Sequence, residues 1–124
     1  MTTKRPPRPI TDFLPLTPAT AHILLALADQ ERHGYAIMQE VGHLTDGGTR
    51  MGPGTLYGTI KRMLAAGLIE EADERPDPDL DDERRRYYRM TTLGARVLEA
   101  ESARMATLLG AARAKKVFPK PRRA

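Results

Sequence analysis

One short segment predicts a helix with a bare, basic outer face. Residues 52–69 read GPGTLYGTIKRMLAAGLI, and at about 100° per residue Gly58, Lys61, Arg62 and Ala65 fall opposite its apolar side. A small outward residue lets a helix approach a phosphate-lined groove closely, while long cations reach bases or phosphates. This face is therefore a candidate nucleic-acid-reading surface. The alternative is a solvated surface helix whose cations only aid solubility.

Both ends of this helix carry their own signals. Gly52 and Pro53 fix its start, and Gly67 suits the left-handed position just beyond its end, from which Leu68 can fold back on Met63. The side that anchors the helix is apolar and consists of Leu56, Ile60, Met63 and Leu64.

Catalytic and metal-binding patterns are weak or absent. The three histidines, His22, His33 and His43, lack cysteine partners and helical ligand spacing. The alternating acids at 77, 79 and 81 resemble a calcium loop, but Asp82 stands at its glycine position and Tyr88 at its last glutamate. GPGTLYG lacks the lysine of a phosphate-binding loop. We therefore expect no enzyme activity, no metal site and no cofactor.

Charge and composition favour a polyanionic partner. The 124 residues hold 20 Lys plus Arg and 16 Asp plus Glu, a net charge of +4. The acids crowd between positions 70 and 83, whereas both ends of the chain are basic. No cysteine is present, and no segment is apolar over a bilayer's thickness. We expect a cytoplasmic location and no membrane association.

The remaining elements follow from caps, prolines and periodicity. Residues 1–16 hold four prolines with Lys4, Arg5 and Arg8, which predicts an extended basic arm, with a disordered tail as an equal alternative to a functional arm. Thr17 and Pro18 begin a nearly apolar helix that runs to about residue 29. A second helix covers residues 34–44, and a glycine-bearing turn over 45–52 leads into the basic helix.

Two short strands and a long last helix complete the chain. Residues 68–73 and 85–91 alternate as strands joined by a charged tip. The arginines at the base of that tip, Arg84, Arg85 and Arg86, are candidates for minor-groove or phosphate contact, with local ion pairing as an equal alternative. Thr91 or Thr92 caps a helix that runs to about Lys116. This order of elements is that of a winged helix-turn-helix.

Four sequence blocks resemble the PadR family of bacterial transcriptional regulators. They are LTP at 16–18, HGYAIMQEV at 33–41, GTLYGTIKRMLAAGLI at 54–69 and RRYYRMTTLG at 85–94. The resemblance implies a mainly α fold with a small β-hairpin wing and a C-terminal dimerisation helix. We accordingly divide the chain into an arm (1–16), a DNA-binding domain (17–91), a dimerisation helix (92–118) and a basic tail (119–124).

Matched residue by residue, the resemblance places Thr55, Tyr57, Lys61 and Arg62 in or beside the major groove, with Gly58 between them. Tyr57 sits near the edge of the apolar stripe, so packing of the helix is its alternative role. In the neighbouring blocks, we expect His33 to start the second helix and Tyr35 to lie in the core. The second wing strand alternates Tyr88, which packs with Met90, and Tyr87, which faces the surface.

The last helix carries the stripe that the resemblance assigns to a two-fold dimer, with help from the first helix. Its members are Leu93, Val97, Leu98, Met105, Leu108, Leu109 and Ala112. A membrane-surface helix is the alternative, but Glu99, Glu101 and many alanines favour a protein partner. The chain contains no tryptophan, whereas family members often use one to line an aromatic ligand site. An aromatic-drug pocket is therefore poorly supported.

The function predicted is a dimeric, sequence-specific regulator of transcription, most often in this family a repressor. Its partners would be a second copy and double-stranded DNA with a quasi-palindromic operator. The resemblance also implies release by a small-molecule effector of unknown identity, held between the domain and the dimer helices. Two alternatives remain open, a winged-helix protein-interaction module and a regulator controlled by a partner protein.

Overall fold

The computed structural model describes residues 8–73 and 86–120. A short 3₁₀ turn, Ile10–Phe13, comes first. The elements that follow are α1 (Pro18–Ala26), β1 (Arg32–His33), α2 (Gly34–Leu44), α3 (Pro53–Ala65), β2 (Ile69–Glu71), β3 (Tyr87–Met90) and α4 (Thr92–Ala114). The predicted mainly α fold with a small β wing is confirmed.

The sheet has one strand more than the sequence predicted. Its order is β1-β3-β2, with both pairs antiparallel. Arg32 pairs with Tyr88 across the first ladder, and Glu70 pairs with Arg89 across the second. Two-residue β1 escaped prediction because it is too short to show an alternating pattern. It attaches the start of α2 directly to the wing.

All of α1, α2, α3, the wing and the first half of α4 share one apolar core. Its fully buried members are Ile23, Leu24, Ala26, Ile37, Val41, Leu56 and Val97, and the nearly buried ones include Ile60, Met63, Leu68, Ile69 and Tyr88. Tyr88 and the half-buried Met90 pack together against this core, as the alternation of the strand predicted.

Helix starts agree closely with the sequence. The Thr17 hydroxyl accepts a hydrogen bond from Thr20 N at 3.3 Å, with Pro18 next. The α1 helix ends at Ala26, three residues before the predicted end. His33 is the N-cap of α2, and its Nδ1 accepts from Ala36 N at 3.0 Å.

Tyr35, however, is 41% exposed. Its predicted core position was wrong, because it lies in the first turn of α2 on the outer side, stacked on His33.

The end of α3 forms the predicted glycine stop. Gly67 has φ +77°, its N donates to Leu64 O at 3.1 Å, and Leu68 N donates to Met63 O at 3.0 Å. These two bonds are the Schellman arrangement. The side chains of Met63 and Leu68 are both buried beside them. The position at which α3 stops and β2 begins is thereby fixed.

The start of α4 is tied to that same turn. Thr91 is the N-cap, and its hydroxyl accepts from Gly94 N at 3.0 Å while donating to Gly67 O at 2.6 Å. A β-carbon on Gly94 would clash with the carbonyl of Leu68. This close approach explains the glycine in the TTLG block.

The extended arm predicted for residues 1–16 needs correction where the structure describes it. Ile10, Phe13, Leu14 and Leu16 pack partly buried against the core. Leu16 N also donates to Glu101 Oε2 on α4 at 2.7 Å. Four apolar residues close together give this stretch enough surface to bury, which the count of prolines concealed. We call residues 8–16 the N-terminal strap.

Candidate nucleic-acid interface

The α3 helix divides into a buried and an exposed side as the wheel predicted. Leu56 is fully buried, and Ile60 and Met63 are each 2% exposed. Thr55, Lys61 and Arg62 are exposed, while Gly58 is half-buried. The α3 helix is packed along one side, and hydrogen bonds of its own backbone fix its C-terminal end. The outward-facing residues are therefore held in a defined orientation.

The two cations differ in their local contacts. Arg62 Nη2 donates to Thr59 Oγ1 at 3.1 Å, so its guanidinium folds back along the helix toward Gly58. Thr59 in turn donates to Thr55 O at 2.7 Å. Within the described part of the chain, no carboxylate forms an ion pair with Lys61 or Arg62. Their charge is therefore available to an anionic partner.

Tyr57 takes a packing position at the junction of α2 and α3. It is half-buried against the core. A β-carbon on Gly34 would lie 2.5 Å from the Tyr57 hydroxyl oxygen and 2.8 Å from its Cε1 and Cζ atoms. The ring thus covers the first residue of α2, and only glycine leaves it room. Of the two roles weighed for Tyr57, the structure supports packing.

Part of the wing lies outside the described residues. Arg84 and Arg85 fall there, so their predicted DNA contact stays a prediction. Arg86 is described and exposed just before β3. Tyr87 is half-buried with its ring edge-on to His33, 5.4 Å between centroids, rather than free on the surface.

Arg89 is a wing cation whose charge is already matched. Its Nε donates to Glu70 Oε1 at 2.8 Å, and its Nη1 lies 3.5 Å from Glu31 Oε2. The hydrogen bond to Glu70, followed by the attraction of both carboxylates, raises the pKa of Arg89. This residue ties β3 to β2 and to Glu31, and it offers less charge to an anionic partner than its exposure suggests.

A partly buried ion pair, which the sequence did not reveal, links the end of α1 to α2. Arg32 Nε donates to Ala26 O at 2.8 Å at the end of α1, and its Nη2 donates to Glu40 Oε2 on α2 at 2.6 Å. The Arg32 side chain is only 15% exposed. The acid and the base stand eight positions apart on two elements, so no helical spacing could have signalled the pair.

Glu101 separates the predicted dimer stripe into a first part that packs within the protomer and a second part that is exposed. Val97 is fully buried inside the protomer, so it has no surface for a partner and leaves the proposed interface set. Leu93 and Leu98 are half-buried against the same core. From residue 102 to the end of α4 the side chains are exposed except for half-buried Ala112, and the large apolar ones are Met105 (51%), Leu108 (64%) and Leu109 (42%).

Glu101 marks the point where α4 leaves the domain. It is 2% exposed. Its carboxylate accepts hydrogen bonds from Leu16 N and from Arg104 Nε, one turn further along α4. The hydrogen bond from Arg104, with that from Leu16 N, holds the pKa of Glu101 below its ordinary value despite burial. The sequence had indicated only that Glu101, with Glu99 and the alanines, favours a protein partner for this helix.

Metal ligation and membrane insertion have no candidate in the described residues. No group of three or more His, Cys, Asp or Glu among residues 8–73 and 86–120 is arranged to hold a metal ion. Over the same residues, no helix combines the length and apolar character needed to cross a bilayer.

Known proteins that are similar to this chain in sequence include a regulator and a transposon protein. The chain is 42% identical over 77 residues to the transcriptional regulator Rv3488 of Mycobacterium tuberculosis, covering 62% of this chain and 65% of that one. It is 38% identical over 88 residues to an uncharacterized 37.1 kDa protein in transposon TN4556 of Streptomyces fradiae. That match covers 71% of this chain but 23% of the relative. The chain therefore spans less than two thirds of either protein.

The fold also matches solved structures. A PadR-like transcriptional regulator from Bacillus cereus superposes with a TM-score of 0.64 at 19% identity, over 81% of this chain and 92% of that one. At that identity the likeness shows the fold alone, which is a winged-helix fold.

The family match covers the helix-turn-helix, the wing and the first part of α4. Residues 23–100 fit the family described as the transcriptional regulator PadR-like family. Proteins of this family are regulators and not enzymes, in agreement with the expectation drawn from the sequence. The chain belongs to the PadR-like family of transcriptional regulators.

Proposed function

We propose that this protein is a dimeric, sequence-specific DNA-binding repressor. The observation that carries the proposal is the outward face of α3, where Thr55, Lys61 and Arg62 are exposed around Gly58 on a helix buried along its other side. In winged-helix proteins such a helix enters the major groove, where arginine can bond guanine bidentately and lysine can neutralise a phosphate.

Binding to DNA is tested with fluorescence anisotropy on the protein's own upstream promoter fragment and on a scrambled duplex, each at several salt concentrations. The proposal predicts that the promoter binds more than about 10³-fold tighter, with a steep salt slope. Equal, weak binding to both duplexes would count against an operator-reading regulator at this promoter. It would favour a protein-interaction module, which a partner pull-down would then examine.

Dimerisation is supported by the exposed second half of α4, which follows Glu101. Residues 102–114 extend over on the order of 20 Å with Met105, Leu108 and Leu109 exposed. An isolated helix of this length is marginal in water, and an apolar stripe at steps of three and four suits pairing with another helix. A second copy covers the stripe most simply, because a two-fold axis would join the same surface on both chains.

The dimer is tested by sedimentation equilibrium of Leu108→Asp beside Thr107→Asp. Both variants add one carboxylate to an exposed position of α4, but residue 107 lies opposite the apolar stripe. We expect Leu108→Asp to sediment as a monomer and Thr107→Asp as a dimer. A parent protein that is monomeric at micromolar concentration, or a Leu108→Asp variant that remains dimeric, contradicts this interface.

Two recognition helices in such a dimer would read half-sites about one helical turn, roughly 34 Å, apart. Release of DNA follows if an effector favours a different spacing of those helices, and a shift from mostly bound to mostly free needs about 5.5 kcal/mol of differential binding. Candidate small molecules are tested by titration into the preformed operator complex. A compound that leaves DNA affinity unchanged is not the effector.

A further inference from the structure

The N-terminal strap is held at one end by the core and by α4. Phe13, Leu14 and Leu16 pack against the core, and the Leu16 amide donates to the buried Glu101 carboxylate at 2.7 Å. The family match begins at residue 23, so the strap lies outside it.

Arg8 stands at the other end of the strap and is held there by the strap itself. Its guanidinium carbon lies 4.3 Å from the centroid of the Phe13 ring, and its Nη2 donates to the backbone carbonyl of Asp12 at 3.1 Å. Arg8 is exposed. A cation over an aromatic face keeps its charge and its remaining N–H groups free for a second partner.

The strap brings this cation to the reading helix. A cleft of about 240 Å³ separates the strap from the C-terminal half of α3, and Arg8 and Arg62 both border it. Among the described residues that line the cleft, Asp12 is the one carboxylate facing these two guanidinium groups. In the sequence, Lys4 and Arg5 precede Arg8, so positive charge continues along the chain from this point.

We propose that Arg8 contacts the DNA phosphate backbone beside the groove that α3 enters, so that the strap widens the DNA-binding surface beyond the helix. The inference rests on the proposed function. Its physical basis is that phosphate contacts fix the register and orientation of a protein on the duplex without reading sequence. An exposed guanidinium that borders the same cleft as Arg62, held in place by a packed strap, is suited to that role.

The test measures operator affinity against salt for the full chain and three variants. Arg8→Ala removes the charge, Arg8→Lys keeps it without the guanidinium plane, and Arg96→Ala removes an exposed arginine from α4 as a control for net charge. We expect Arg8→Ala to reduce the slope of log K against log salt by about 0.9 for each phosphate that it leaves without a cation, hence by about 2 in a dimer with two straps. Its preference for operator over scrambled duplex should stay the same.

The variants separate charge from strap packing and from the proposed function. Arg8→Lys should keep most of the parent slope, and Arg96→Ala should keep all of it. A parent slope in Arg8→Ala, or an equally reduced slope in Arg96→Ala, would overturn the contact while leaving the repressor proposal intact. Equal reductions in Arg8→Ala and Arg8→Lys would overturn it as well, because the effect would then follow packing on Phe13. A parent protein that binds no duplex overturns the proposed function and this contact together.

Discussion

The ring of Tyr57 on α3 occupies the space that a β-carbon on Gly34 of α2 would fill. That carbon would lie 2.5 Å from the hydroxyl oxygen of the tyrosine and 2.8 Å from two of its ring carbons. The two helices of the helix-turn-helix therefore meet at a contact in which a larger residue than glycine would force the tyrosine or the backbone to shift. This pair links the HGY block to the GTLY block.

Gly34→Ala should destabilise the domain by about 1–3 kcal/mol, the usual cost of overpacking a well-packed site. The matched control is Gly42→Ala in the same helix, where a β-carbon meets nothing within 4 Å and alanine should stabilise the helix by up to about 1 kcal/mol. Urea unfolding of the two variants checks the difference. If both variants were equally stable, the close contact would not exist in solution.

Replacing Gly58 by alanine should change the stability of the fold and the affinity for DNA in opposite directions. A β-carbon there would meet only Arg62 Nη1, at the ordinary contact distance of 3.6 Å, so Gly58→Ala should raise the free energy of unfolding by up to about 1 kcal/mol. If α3 approaches the groove closely at this residue, the same variant should bind its operator more weakly. Thermal unfolding and anisotropy on one preparation measure both. A more stable variant with unchanged affinity would show that close approach does not depend on Gly58.

Sequence reasoning succeeded where local signals decide the structure. The start and stop of α3, the caps at Thr17 and Thr91 and the outward face around Lys61 all follow from residues within one or two turns of each other. Interactions between distant positions were missed. The pair of Arg32 with Glu40, the contact of Tyr57 with Gly34 and the bond from Leu16 N to Glu101 need the tertiary fold, which periodicity does not contain.

The candidate interface was likewise predicted in part from the sequence. The exposed side of α3 follows directly from the apolar stripe, because one anchored side determines the other. The division of the α4 stripe at Glu101 does not follow, since Val97 and Leu108 have the same apolar character and helical spacing. Only the packing of α1, the strap and the wing against the first half of α4 distinguishes them.

Glu101 makes stability depend on pH in an acidic range. Because its pKa in the folded protein lies below the ordinary 4.5, the stability it contributes is complete above that value and is lost as pH falls through the folded pKa. Glu101→Gln should lower the Tm at pH 7 by a few degrees, since charge-assisted hydrogen bonds are about twice as strong as neutral ones. It should also lose less stability than the parent between pH 5 and about pH 3.

Thermal unfolding across that pH range, with Glu99→Gln as control, tests this assignment. Glu99 is exposed on the same helix, so its amide variant should follow the parent curve. A Glu101→Gln variant with the parent's Tm at every pH would mean that the carboxylate does not hold the strap to α4.

If the outward face of α3 reads DNA, Arg62→Ala and Lys61→Ala should weaken binding in different ways on the operator and on duplexes that each change one base pair. If Arg62 bonds a guanine bidentately, its removal should cost about 1–3 kcal/mol of binding free energy and relax the base preference at one position. Loss of Lys61 should instead weaken binding to all duplexes alike and reduce the salt slope by about 1. Base preferences and affinities that match the parent in both variants would contradict the claim.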